Sequence, residues 1–396
     1  MTVHQPDQPG ATRDLFASLL TLLLAIGWAA SHFIALIPAI SDHQHLTATV
    51  LDAVFAVYAV GILPGLVIGG RVSDALGRRW VAWVGSAVVL LGTVAMLLSQ
   101  HSDMLLAGRL IIGVGTGFAV SSCTAWASDL KGPAGAAIAG AVLTLGFAIG
   151  PFASGAIAVA GESGIELSFV IAAALVVLAT AVSVVAVQRA RVAVPASTGS
   201  AKQQSSPARQ ASSTRALSWA MPLAPWVFAS AALAFITIPA RVHTGFAAAM
   251  AAGVAALIAN GVSGGIQVLA RARQWGPQAG TVGAVLAALG YALTAAAPPT
   301  MTPVLGLSLV ILLGSAAGLC LREGLIDLEA AAPQRLRGTL TGAFYAVTYL
   351  GFGLPLLLAA VGPADSAMIL VGLAALASVT AVSRAVRVRR DSHRQN

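Results

Sequence analysis

Gly70-Arg71-Val72-Ser73-Asp74-Ala75-Leu76-Gly77-Arg78-Arg79 is a short charged stretch set between two long apolar runs, near 50–69 and 80–99. A helix must cover about 20 apolar residues to cross a hydrocarbon core. Each flanking run meets that length, so this stretch reads as a tight turn between two membrane spans. Gly70 permits close helix approach and Gly77 permits a turn with positive φ. Asp74 can accept hydrogen bonds from a nearby helix N-terminus, where a carboxylate is favoured. The arginines mark the cytoplasmic side, because short cytoplasmic loops are rich in Lys and Arg.

The same reading extends along the chain. Only 9% of the 396 residues are charged and 58% are hydrophobic, against about 25% charged in an average soluble domain. That composition excludes a soluble enzyme, a disordered chain and a secreted disulfide scaffold. Cys123 and Cys320 lie inside apolar runs, which makes a disulfide framework improbable. Ten further apolar runs lie near 15–40, 104–127, 134–160, 166–187, 219–240, 246–269, 279–297, 302–321, 338–360 and 365–386. Signal peptides have shorter apolar cores, of about 7–15 residues, so the first run is expected to stay in the protein. Membrane β-strands alternate polar and apolar over about ten residues, and these runs do neither. The expectation is an all-α membrane protein of twelve spans. Its domains are 1–187, a cytoplasmic linker at 188–218 that is flexible and solvated from Pro195 to Thr214, and 219–396.

Placing the N-terminus in the cytoplasm puts twenty of the 22 basic residues on the inner side. Only Arg241 falls outside, and Arg109 lies within a span. Asp42, Asp52, Asp103, Glu162, Glu166 and Asp365 fall at or beyond the outer boundary. The net charge of +8 is thus a topology signal and an attraction to anionic inner-leaflet lipid, and it implies no nucleic acid. Both termini are expected in the cytoplasm, in a cell (inner or plasma) membrane.

The halves repeat. Gly69-Gly70, Arg78 and Trp80 recur 195 residues later as Gly264-Gly265, Arg273 and Trp275. Gly146-Phe147 and Gly150-Pro151 have a looser echo in Gly351-Phe352 and Pro355. Two halves of six spans joined by a linker suit a transporter with its site between them near the midplane. No channel selectivity-filter sequence or acidic ring is present.

The stretch from Gly70 to Arg79 resembles the signature loop of the major facilitator superfamily, G-x-L-x-D-R-x-G-R-R, with Ala75 where the family usually has Arg or Lys. Leu105-x-x-x-Arg109-x-x-Ile112-Gly113-x-Gly115-Thr116 is similar to its fourth-helix pattern, with Ile112 for a common Gln. Gly146-x-x-x-Gly150-Pro151-x-x-Ser154-Gly155 resembles its antiporter motif, with Ser154 for one Gly. The resemblance implies two pseudo-symmetric six-helix bundles and alternating access. It implies an inner gate of Gly70, Asp74, Gly77, Arg78, Arg79 and Asp129, in which Asp74 meets the eleventh helix and Arg78 pairs with Asp129. The antiporter-like motif of Gly146, Gly150, Pro151 and Gly155 forms a packed, bendable seam between the halves, since small residues bring helices close and Pro removes a backbone donor. It ties the chain to exporters of small molecules or drugs.

Charge inside a span is costly, about 2.5–3.5 kcal/mol for Arg at a helix centre, so Arg109 needs a cavity or a partner. An imidazole titrates near neutral pH, which makes His32 a proton candidate. Asp52 can neutralise Arg109 or sit at the interface as a simple carboxylate. Asn260, Gln267, Tyr345, Thr348 and Tyr349 are polar within apolar runs and either bind substrate or join helices. Trp226, Phe228 and Phe235 face the cavity or lipid. Glu323, Asp327 and Glu329 read as a solvated, charge-paired loop. The function expected is secondary active, proton-coupled export of a small molecule. The alternative is import of a small organic anion or sugar through Arg109. The expected protein is a monomer with no cofactor and no metal. An enzyme is disfavoured, because neither an H-E-x-x-H spacing nor a nucleophile elbow is present.

Overall fold

The computed structural model describes residues 9–193, 212–243, 245–333 and 337–393. Among the described residues twelve helices are long and apolar enough to cross a membrane. The first six are α1 (Thr12–Gln44), α2 (Thr49–Leu76), α3 (Arg78–Leu98), α4 (Ser102–Gly132), α5 (Ile138–Ala160) and α6 (Glu162–Ala190). The second six are α7 (Ser213–Arg241), α8 (Ala248–Ala272), α9 (Gln278–Ala296), α10 (Pro303–Ala331), α11 (Leu340–Ala360) and α12 (Pro363–Asp391). Among the described residues the only β pairing is an isolated bridge between Val242 and Met301. In lipid every backbone polar group needs an internal partner, and helices supply it within one segment.

The helices outrun the apolar sequence at several ends. α10 continues to Ala331 and α12 to Asp391, past the polar residues that bounded their runs. Beyond the hydrocarbon a helix tolerates polar side chains as long as its own ladder continues. Helix also extends from α6 to Ala193, past the expected boundary at 187. Residues 213–218, read as linker, form the start of α7, where the Ser212 hydroxyl caps the Arg215 amide at 3.5 Å. The rest of that linker, 194–211, lies outside the described residues. Thr47 and Thr302 cap α2 and α10 in the same way, at 3.4 and 3.3 Å, as N-cap hydroxyls do.

Among the described residues α1, α7 and α11 are interrupted, α11 by a 3-10 turn at Gly351–Gly353, and α4 meets α5 at a sharp corner. α1 has a turn at His32 and contains Pro38. The α4–α5 corner turns at Lys131 and Gly132, the latter at φ +63°. α7 contains a π-helical turn over Leu233–Thr237 and then Pro239. Gly77 closes α2 at φ +97°, a conformation that costs Gly little.

Backbone-to-backbone packing follows the repeat. A Cβ on Gly61 would stand 2.3 Å from the Leu110 carbonyl oxygen, and one on Gly113 2.4 Å from that of Tyr58. These contacts join α2 to α4. In the second half Gly314 and Gly318 bring α10 equally close to the carbonyls of Ala259 and Ser263 on α8. Close approach near the signature loop falls on Gly69, against Ser121 and Phe118. A Cβ on Gly70 would meet nothing within 4 Å, so the packing role read for Gly70 moves one residue back.

Overpacking a close seam costs about 1–3 kcal/mol. Gly61→Val is therefore expected to lower the unfolding temperature of the purified protein in detergent, while Gly70→Ala leaves it unchanged. Equal unfolding temperatures for Gly61→Val and the unaltered chain would contradict the α2–α4 packing.

Candidate functional site

The break in α1 makes a buried polar centre. Arg109 of α4 is 1% exposed. Its guanidinium donates to the Ala30 carbonyl at 2.8 Å. The same group lies 4.5 Å from the Tyr58 ring centroid and 5.3 Å from that of Phe33, within cation–π range. It therefore does not reach up to the interface. His32 is fully buried. Its Nδ1 donates to the Ala29 carbonyl at 2.9 Å, and its ring stands edge-on to Phe169 of α6 at 5.1 Å. Nε2 of His32, Nε of Arg109 and the Tyr58 hydroxyl are buried without a hydrogen-bond partner among the described residues. Asp52 lies in the first turn of α2, and its side chain is outside the described residues.

The opposite end carries the signature loop. Arg78 pairs with Asp74, donates to the Ser73 hydroxyl at 2.8 Å and reaches Asp129 of α4 with Nε at 3.2 Å. Asp74 is largely exposed. The partner read for it, the start of the eleventh helix, falls on residues 334–339, where placement or side chains lie outside the described residues. Arg79 lies 5.8 Å from the Trp80 ring.

The antiporter-like motif divides its contacts. Gly146 and Gly150 pack on Leu24 and Trp28 of α1, within the first half. A Cβ on Gly155 would be 2.5 Å from the Ala249 carbonyl of α8, and one on Gly253 2.6 Å from the Pro151 carbonyl. The seam between the halves thus involves the C-terminal part of the motif. Pro151 has no N–H, so it leaves the carbonyl of Phe147, four residues earlier, without its helical donor. Asn260 of α8 donates to that carbonyl at 3.4 Å and to Ala256 in its own helix at 2.9 Å. A side chain of one half therefore supplies a bond that the other half's proline removed.

Aromatic rings cross the same boundary. Phe55 of α2 meets Phe352 of α11 at 5.0 Å and Phe235 of α7 at 6.3 Å. Phe228 stacks on Phe352 at 4.7 Å and meets Tyr349 at 4.6 Å. Tyr345 lies 6.3 Å from Tyr349. Trp226 and Phe235 are buried, so neither faces lipid. On the face opposite Arg78 a cavity of about 730 Å³ opens among the ends of α1, α2, α7, α8, α9, α11 and α12. Arg109 and His32 are not among its lining residues.

One cluster escaped the sequence reading. Glu323 is 2% exposed, and Asp327 and Arg384 are also largely buried, so the solvated loop read there is incorrect for these two acids. Arg384 of α12 lies 2.7 Å from Asp327 and 3.9 Å from Glu323, which also pairs with Arg322. Arg384 also donates to the carbonyls of Trp219 and Pro277, tying α12 to α7 and α9. Its position within the apolar run 365–386 was the available signal, since an arginine inside a span needs partners.

The profile of the Major Facilitator Superfamily matches residues 17–356, and the chain belongs to that family of membrane transporters. Two relatives of similar sequence are the multidrug resistance protein MdtL of Escherichia coli (strain K12 / DH10B) and that of Shigella boydii serotype 18. Each is 30% identical over 106 residues, 27% of this chain and 27% of the relative. The match thus spans about a quarter of those relatives. Solved structures of like fold include the peptide transporter POT in complex with sulfate, with TM-score 0.74, 14% identity, and 96% and 95% of the two chains covered. A POT family transporter in complex with 5-aminolevulinic acid gives TM-score 0.71 and 13% identity, with 95% of each chain covered.

A double-mutant cycle tests the cross-seam bond. Interhelical hydrogen bonds in membranes average about 0.6 kcal/mol, so Asn260→Ala should lower thermal stability by that order. In a Pro151→Ala background, where the helix regains its own donor, the same change should cost less. Equal cost in both backgrounds would rule out the pairing.

Proposed function

We propose that the chain is a proton-coupled exporter of small molecules that works by alternating access, with both termini in the cytoplasm. One observation carries the reading. A cavity opens at one face, while at the other the Arg78 cluster ties the α2–α3 loop to α4. A rocker-switch transporter alternates between such open and tied faces around the seams of α5 with α8 and α2 with α11. Arg78, Asp74 and Asp129 act as the inner latch, and breaking their ion pairs frees that end to separate. Charge placement supports the orientation, since the cavity face carries few basic residues.

Export is supported by the resemblance of 146–155 to an antiporter motif and by the local similarity to multidrug resistance proteins. His32 is the proton site in this reading. With Nδ1 donating to Ala29, the neutral ring keeps a lone pair on Nε2 beside the buried Arg109. Protonation there sets two positive charges side by side at the α1 break, which couples proton binding to the packing of α1 on α4. The working unit in this reading is a monomer, because helices of both halves of one chain line the cavity.

Orientation is checked by cysteine labelling in intact cells. Cys123 and Cys320 are buried and give little background. A membrane-impermeant maleimide should label Ser99→Cys and spare Gln274→Cys; the reverse pattern would invert the topology. Coupling is checked by pH-gradient-driven flux in proteoliposomes, screened over drugs and metabolites. Asp129→Asn should slow flux a fewfold at normal membrane expression, since a largely exposed ion pair contributes about 1 kcal/mol or less. His32→Ala should abolish dependence on the gradient. Unchanged flux in the first or unchanged coupling in the second would refute that residue's role.

A further inference from the structure

The chemistry of the outer cavity narrows the ligand beyond "small molecule". Most of its lining is aliphatic or aromatic, including Ile34, Ile37, Leu51, Phe235, Leu358 and Leu370. Among the described residues that line it there is no carboxylate, amide or imidazole, and the polar side chains are Thr237, Arg241, Thr294 and Ser366. Three of these four are already engaged. The Thr294 hydroxyl donates to the Gly290 carbonyl at 2.7 Å. The Ser366 hydroxyl donates to the Leu358 carbonyl at 2.9 Å.

Arg241 would be the natural hold for an anion, yet its guanidinium is spread over backbone. It donates to the carbonyls of Ala297 and Pro298 at 3.0 and 2.9 Å and to those of Thr294 and Pro299 at 3.4 Å. The backbone carbonyl of Arg241 in turn accepts from the Met301 amide at 2.7 Å, so the residue is fastened to the α9–α10 connection on both sides. Thr237 remains the one lining hydroxyl with no recorded bond among the described residues. A charged or sugar-like ligand placed here would leave its polar groups without side-chain partners, and unpaired polar groups in an apolar site are costly. An apolar one loses nothing on entry and gains from burial.

We infer that this cavity binds an uncharged, predominantly apolar molecule, oriented by at most one hydrogen bond to Thr237. The inference deepens the transport reading above and rests on the same cavity. A volume of about 730 Å³ falls in the range of drug-sized sites, about 300–1,000 Å³.

The test uses the purified full chain in lipid nanodiscs and two fluorescent probes that share one skeleton. N-phenyl-1-naphthylamine is neutral, and 8-anilino-1-naphthalenesulfonate adds a sulfonate. The neutral probe should bind saturably above empty nanodiscs, and about tenfold or more tighter than the sulfonate. Ala252→Trp on α8 and Ala367→Trp on α12 fill the cavity from opposite walls, and each should weaken the neutral probe by a similar factor. Equal or tighter binding of the sulfonate overturns the inference, as does saturable binding that both tryptophans leave unchanged. Should one variant not fold, the other decides; should neither, the preference between probes in the unaltered chain decides. Neutral-probe binding without gradient-driven flux would count against the transport reading and leave the site standing. Flux of a polar substrate without neutral-probe binding would do the opposite.

Discussion

A carbonyl left unbonded inside a bilayer has no water to turn to, so every break in a membrane helix must be answered by another part of the protein. This chain has few polar side chains, and several of the longest meet that requirement. Arg109 donates to Ala30 where α1 turns. Asn260 donates to Phe147 where Pro151 interrupts α5. Arg241 gathers the carbonyls at the end of α9, and Arg384 and Arg387 donate to the carbonyls of Trp219 and Ser218 just before the 3-10 turn at Met221–Leu223 within α7. The helix breaks are also places where distant elements are held together.

This pattern changes how buried cations are to be read. An arginine in a span suggests a counter-ion or an anionic substrate, but the bonds recorded for Arg109 and Arg241 go to carbonyl oxygens and, for Arg109, to aromatic faces. Carbonyl dipoles disperse the charge without neutralising it. The guanidinium therefore stays a local source of positive potential even when its donors are occupied. At the α1 break that potential acts on His32, whose Nε2 is the open basic atom nearby.

Motion is limited by glycine contacts that allow no intermediate spacing. α2 on α4 and α8 on α10 meet backbone to backbone within their own halves, and such seams resist shear because any added atom collides. Across the halves the close contacts are fewer, Gly155 and Gly253 between α5 and α8, with a layer of rings around Phe55, Phe352 and Phe235 elsewhere. Rings slide and rotate past each other at less cost than interlocked backbones. Close glycine packing is thus concentrated within each half, and rings make up much of the contact between them.

Much of the fold was readable because bilayer thickness imposes one length on every span and polar residues interrupt the runs between spans. The twelve runs, the repeat and the signature loop follow from that periodic constraint. Gly77 was legible as a turn because only its backbone conformation was in question. Partners between distant segments were not. Nothing in the spacing of Asn260 names Phe147, and the burial of Glu323 and Asp327 depends on Arg384 arriving from another helix. Gly69 and Gly70 are alike as letters, and only packing decides which of them touches α4. Sequence alone determined that the chain spans a membrane twelve times and where its charges are scarce, because hydrophobicity is a local sum. Tertiary structure decided what each scarce charge holds, because a hydrogen bond joins groups whose distance along the chain carries no information about their distance in space.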